Sequence, residues 1–159
     1  MKNSIKTGFS FGLTSGIITT LGLMVGLYSG TQSKLAVIGG ILTIAVADAF
    51  SDALGIHVSQ ESQDKYSKKE VWAATIATFF SKAIFAMTFI VPILFMGLGK
   101  AVLVGAVWGL SALSLFSFVI AKQRGESPAK VIAEHLVIGL LVILITYVLG
   151  DLITSIFSI

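Results

Sequence analysis

The stretch Ile38–Gln63, IGGILTIAVADAFSDALGIHVSQESQ, decides how the rest of the chain reads. Its first two-thirds are apolar enough to cross a bilayer, yet they contain Asp48 and Asp52. A carboxylate in the hydrocarbon core costs about 3 kcal/mol on insertion scales and more in simulation. It survives there only with a partner charge, a water-filled cavity or a bound cation. Four residues apart on a helix, the two acids share one face, with Cβ atoms about 6 Å apart. They repel each other unless something positive sits between or beside them.

Composition agrees with a chain that lives in lipid. Of 159 residues, 55% are hydrophobic and 12% charged, and the mean hydropathy is +0.96. A soluble domain of this size is about 25% charged, so the sequence is that of an integral membrane protein. The net charge of +3 is no nucleic-acid signature, because the basic residues gather at the ends of apolar segments. There is no cysteine, which excludes disulfides, thiolate metal sites and redox thiols, and leaves the compartment unread. The opening MKNSIKTGFSFGLTSGIITTLGLMVG has the outline of a signal peptide. It lacks a small-residue cleavage site and is long enough to span, so it reads as a retained helix.

Five apolar segments follow one another, and residues 1–159 read as a single five-helix transmembrane domain. The first covers about Gly8–Tyr28 and is closed by SGTQS. The second covers about Leu35–Val58, with room to continue as helix through Gln63. In the polar loop after it, Ser67 and Glu70 have capping-box spacing, which starts a third helix near Lys68 that runs to about Met96. Gly97, Gly99 and Lys100 predict a tight turn, and the fourth helix covers about Ala101–Ile120. Ser127 and Pro128 then open a fifth over about Pro128–Phe157. Each segment exceeds the roughly 20 residues that a bilayer core requires.

The basic residues orient the bundle. Lys2, Lys6, Lys65, Lys68, Lys69, Lys122, Arg124 and Lys130 fall on one side, and only Lys34 and Lys100 on the other. The positive-inside rule therefore places the N-terminus in the cytoplasm and the C-terminus outside. The remaining basic residue, Lys82, lies inside the third span. At about 1.5 Å per residue, Asp48, Lys82 and Ser15 reach similar depths in three successive helices, so hydroxyl, acids and lysine meet near mid-membrane. Gly8-Gly12-Gly16 and Gly22-Gly26-Gly30 form two ladders of four-residue spacing on the first helix. Gly12, Gly16, Gly22 and Gly26 are accordingly expected to pack closely across a homodimer interface.

Other polar residues carry weaker signals. His57 is about 180° round the second helix from Asp48 and pairs by spacing with Glu61, as a cytoplasmic access site or a solvated helix end. Glu134 and His135 open the fifth helix, where structural roles are expected. Asp151 lies near its outer end. Met24, Met87 and Met96 read as apolar fillers. No nucleophile triad, phosphate-binding loop, zinc-protease motif or dinucleotide fingerprint is present, so the chain does not read as an enzyme.

Phe11–Gly26 (FGLTSGIITTLGLMVG), Ser51–Gln63 (SDALGIHVSQESQ) and Val137–Ile153 (VIGLLVILITYVLGDLI), together with Pro92 in the third helix, resemble the vacuolar iron transporter family of divalent-metal/proton exchangers. The resemblance implies a five-helix dimer with a pathway along helices 1 and 2. It also implies a divalent substrate, Fe²⁺ or Mn²⁺, with no permanently bound cofactor. Well-studied members carry an aspartate in helix 1, where Ser15 stands here. They carry a glutamate and a methionine in helix 2, where Ile44 and Asp52 stand. Their glutamate-rich metal-binding domain between helices 2 and 3 is replaced here by a short loop, and Lys82 has no named counterpart. Oxygen from Asp52 in place of sulfur suits Mn²⁺ or Fe²⁺.

The expectation is thus a multi-pass transporter, in the plasma membrane of a prokaryote, exporting Fe²⁺ or Mn²⁺ from the cytoplasm in exchange for protons. Its partners are a second copy, the metal ion and the bilayer, with no nucleic acid. Asp48 and Asp52 would bind metal, Ser15 and Lys82 would serve the pathway or proton coupling, and Glu61 with His57 would form the cytoplasmic access. Two alternatives stay open. One is a proton-coupled transporter of another small solute. The other is a non-transporting scaffold whose acids and lysine form a buried network. Asp48 is expected to pair with Lys82, leaving Asp52 the freer carboxylate.

Overall fold

The computed structural model describes residues 1–157, all of them in or between five long helices. They are α1 (Lys2–Thr31), α2 (Lys34–Glu61), α3 (Lys68–Phe95), α4 (Leu98–Arg124) and α5 (Pro128–Phe157), each long and apolar enough to cross a membrane. The predicted spans all appear. α1 begins six residues earlier than expected, and α4 absorbs Gly99 and Lys100, so the turn before it is only Met96–Gly97. Ile159, expected outside, lies beyond the described residues.

Local chemistry sets the boundaries. α1 stops at Gln32, whose φ of 50° is left-handed, and its N–H returns to the Tyr28 carbonyl at 3.1 Å. Ser33 then caps α2 by accepting from the Ala36 N–H at 3.2 Å. At the start of α3 the Ser67 N–H donates to Glu70 Oε2 at 3.1 Å, the reciprocal half of the expected capping box. Pro92 lacks the N–H that would meet the Thr88 carbonyl, and α3 is interrupted one residue later, at Phe89. Gly125, at φ 69°, ends α4 in the conformation glycine adopts without strain.

α1 is the centre of the bundle. Half of its most apolar window is buried, against 11% for α5, whose remaining apolar surface is left for lipid or another chain. Leu13, Ile17, Leu21, Met24 and Val25 of α1 form the core with Val37 and Ile41 of α2, Phe89 and Ile93 of α3, and Leu113 of α4. Met24 is fully buried, and its sulfur lies over Gly105 of α4, where a side chain would collide with it. That packing makes it a filler, as expected.

The glycine ladders correct one expectation. Gly8, Gly12 and Gly16 lie in turn against Ala74, Thr78 with Ser81, and Lys82 of α3. Gly22, Gly26 and Gly30 lie against Val142, Thr146 and Gly150 of α5. The grooves of Gly12, Gly16, Gly22 and Gly26 are therefore filled by the chain's own helices rather than by a second copy. Sequence spacing announces a close approach without naming the helix that makes it. Both ladders rise in step with their partners, so α1, α3 and α5 run parallel. Leu21 and Met24 over Gly109 and Gly105 set α4 antiparallel to them, and Leu23 over Gly40 with Ser15 bonded to Asp52 does the same for α2.

Candidate functional site

The antiparallel pairing brings Ser15, Asp48, Asp52 and Lys82 to one level. Lys82 is fully buried, its backbone and stem resting on Gly16, where a β-carbon would come 3.0 Å from the Lys82 carbonyl oxygen. The first ladder thus seats the lysine. The ammonium donates to Asp52 Oδ2 at 2.5 Å and to Ser15 Oγ at 2.9 Å, and forms an ion pair with Asp48 Oδ2 at 2.6 Å. The Ser15 hydroxyl in turn donates to Asp52 Oδ2 at 2.6 Å. Two carboxylates around one ammonium leave a net charge of −1, which sits on the outer side of the group. The lysine side chain is 0% exposed, Asp52 20% and Asp48 37%.

The pairing of Asp48 with Lys82 is present. The expectation that Asp52 would be the freer acid is not met, because Asp52 holds both the lysine and Ser15 and is the more buried. Depth along a helix is readable from sequence, but which of two acids on one face turns inward depends on rotation about the axis. That rotation is altered here by a π-helical turn over Ile44–Asp48, in which the Ala49 N–H reaches the Ile44 carbonyl five residues back. Such turns gather at functional sites. The sequence reading missed it. The available signal was the strict four-residue spacing of small and apolar residues from Val37 to Ala53.

His57 and Glu61 lie apart from this cluster. His57 Nδ1 is 3.0 Å from Thr75 Oγ1, and that hydroxyl already donates to the Val71 carbonyl at 2.8 Å. Nδ1 is therefore the donor in that contact, and Nε2 lies 3.8 Å from Glu61 Oε2. A groove of about 460 Å³ opens beside them, bounded by Asp64, Tyr66, Lys68 and Trp72. His135 is structural in the same manner: its Nδ1 is 2.6 Å from buried Ser117 Oγ, whose proton goes to the Leu113 carbonyl. Glu134 and Asp151 are exposed, and Met87 faces outward. Among the described residues no three His, Asp or Glu side chains gather to hold a metal. An ion bound between Asp48 and Asp52 would complete its shell with a hydroxyl, carbonyls or water.

Residues 9–71 match the model of the VIT family. This stretch is a VIT family domain. It takes in α1 from Phe9 onward, α2 and the first turn of α3, hence Ser15, Asp48, Asp52, His57 and Glu61, and ends eleven residues before Lys82. By length and composition each of the five long helices can cross a membrane, and the likeness to the VIT family is confined to residues 9–71 of the 159. Among curated proteins, none matches the chain. Within the VIT domain the acids thus sit on family helices, while the cation that pairs with them comes from outside the matched stretch.

Proposed function

We propose that this VIT-domain protein exports a divalent transition metal, Fe²⁺ or Mn²⁺, from the cytoplasm in exchange for protons. The observation that carries the reading is the convergence of two intramembrane carboxylates and a hydroxyl on one point already occupied by a positive group. That point is built for a cation. Intramembrane acids of this kind mark ion pathways and proton relays.

In this mechanism Asp48, the more exposed acid, meets the incoming ion first, and Asp52 and Ser15 complete the binding position. The ion takes the place of the Lys82 ammonium. If the lysine releases its proton to the cytoplasm as it withdraws, the neutral amine, two carboxylates and a divalent ion sum to zero, against −1 with the ammonium in place. The exchange of one cation for another keeps the membrane interior from holding two bare carboxylates. His57 and Glu61 form the cytoplasmic access, where the imidazole and the carboxylate offer nitrogen and oxygen to a transition metal. The N-terminus lies in the cytoplasm and the C-terminus outside, in the plasma membrane of a prokaryote. The protein works as a homodimer joined through faces other than the glycine ladders.

Proteoliposomes with a metal-sensitive dye and a pH dye test this reading. Fe²⁺ or Mn²⁺ should move with opposite proton movement, and Asp48→Asn or Asp52→Asn should abolish both. Metal flux absent from well-folded protein, or unchanged in both variants, would overturn it. The paired ammonium also fits a purely structural network. That second reading gains if metals neither move nor stabilise the protein while Lys82 substitutions unfold it.

A further inference from the structure

We propose that the groove where the basic ends of α1, α4 and α5 meet is a binding site for an anionic phospholipid, with the phosphate held by Lys6 and Arg124. The groove has a volume of about 450 Å³. Its two main walls grade from charged to apolar in the same direction. On α1 it runs from Lys6 to Thr14, and on α4 from Arg124 to Phe116. Eight residues on each wall span about 12 Å. The cationic end therefore lies at the headgroup level and the other end within the hydrocarbon. An inorganic anion has no use for the lower half, whereas a lipid matches both.

The side chains have the required capacity. Among the described residues Lys6 makes no ion pair. Arg124 meets Glu126 through Nε at 2.7 Å, and its guanidinium carries further N–H donors for a phosphate. Gln123 and Ser10 add neutral donors beside them. Deeper, the Thr14 hydroxyl donates to the Ser10 carbonyl of its own helix at 2.8 Å, so its proton is already engaged. Phe11 and Phe116 complete an apolar floor suited to the first part of an acyl chain. Basic pockets between transmembrane helices at the inner surface hold lipid headgroups in this way.

The test uses the purified full chain in a neutral detergent. Dioleoylphosphatidylglycerol, dioleoylphosphatidylcholine or inorganic phosphate is added, and Tm is followed. Phosphatidylglycerol at about a hundred-fold above Kd should raise Tm by roughly 5–10 °C, with little effect from the other two. The Lys6→Gln/Arg124→Gln variant should keep its Tm in phosphatidylcholine and lose the phosphatidylglycerol shift. Lys65→Gln/Lys69→Gln removes the same charge from the same end of the bundle and should keep the shift. An equal response to phosphatidylcholine, full reproduction by phosphate, or equal losses in both double variants would each overturn the proposal. The first would indicate a generic lipid effect, the second a simple anion site, and the third net charge alone.

Discussion

Lys82 and Asp52 are joined twice, once directly and once through the Ser15 hydroxyl, which accepts from the lysine and donates to the same carboxylate oxygen. Asp48 meets the lysine by a single contact and is almost twice as exposed. The two acids therefore differ in duty although they share a helix face. Asp52 belongs to a closed ring of three groups, and Asp48 is its outward arm.

Lys82→Met should cost about 3–5 kcal/mol, because it leaves two carboxylates without their counter-ion. Adding Asp52→Asn to that variant should recover more stability than adding Asp48→Asn, since Asp52 is the more buried. Denaturation of the three proteins in one detergent measures the order. Equal recovery would show that the two acids are interchangeable.

Ser15→Ala removes one of the two hydrogen-bond acceptors of a buried ammonium and the donor to Asp52. A loss of about 1–3 kcal/mol is expected, the cost of unsatisfied buried polar groups. Ser15→Asp instead supplies a third carboxylate beside the other two. On the transport reading it should increase stabilisation by Mn²⁺, read as a larger metal-dependent rise in Tm than in the unaltered protein. A smaller rise would argue that the site does not hold the metal.

Gly12→Leu should unfold the bundle rather than separate two copies. Any β-carbon at position 12 runs into the Thr78 carbonyl and Ser81 of the same chain, and overpacking of this kind costs about 1–3 kcal/mol or more. Gly55 of α2 has nothing within 4 Å of such an atom. Gly55→Ala should be neutral or stabilising by up to about 1 kcal/mol through helix propensity. Tm and oligomeric mass for both variants decide whether the ladder serves the fold or an interface.

The orientation can be read by labelling intact cells with an impermeant thiol reagent, since the chain has no native cysteine. Lys68→Cys should be protected and Gly97→Cys, in the exposed turn between α3 and α4, should react. The opposite pattern would reverse the topology and, with it, the direction of export.

The sequence carried those features that depend on one helix at a time. Span lengths follow from runs of apolar residues, and helix starts follow from Ser67 with Glu70 and from Pro128. The depth of Lys82 opposite Asp48 follows from counting residues. Features that need two helices at once were less legible. The glycines of α1 declare a close approach but not whether α3, α5 or a second copy makes it. Asp52 outranks Asp48 in the lysine's company only because of how α2 is rotated. The hydroxyls of Thr75 and Ser117, which lie against Nδ1 of His57 and His135, became relevant only once α2 met α3 and α4 met α5.

The π turn before Asp48 has a geometric consequence for α2 as a whole. Val37, Ile41, Ala45, Ala49 and Ala53 are all buried at a strict step of four. On a regular α-helix each such step drifts by about 40°, so four steps would carry the inward face about 160° round the axis. The extra residue taken up between Ile44 and Asp48 cancels about 100° of that drift. α2 thereby keeps a nearly constant inner meridian, with Val37 and Ile41 in the core at one end and the two aspartates beside Lys82 toward the other. Removing one residue from the turn would set those halves out of phase by more than a quarter of a revolution, with every other helix unchanged.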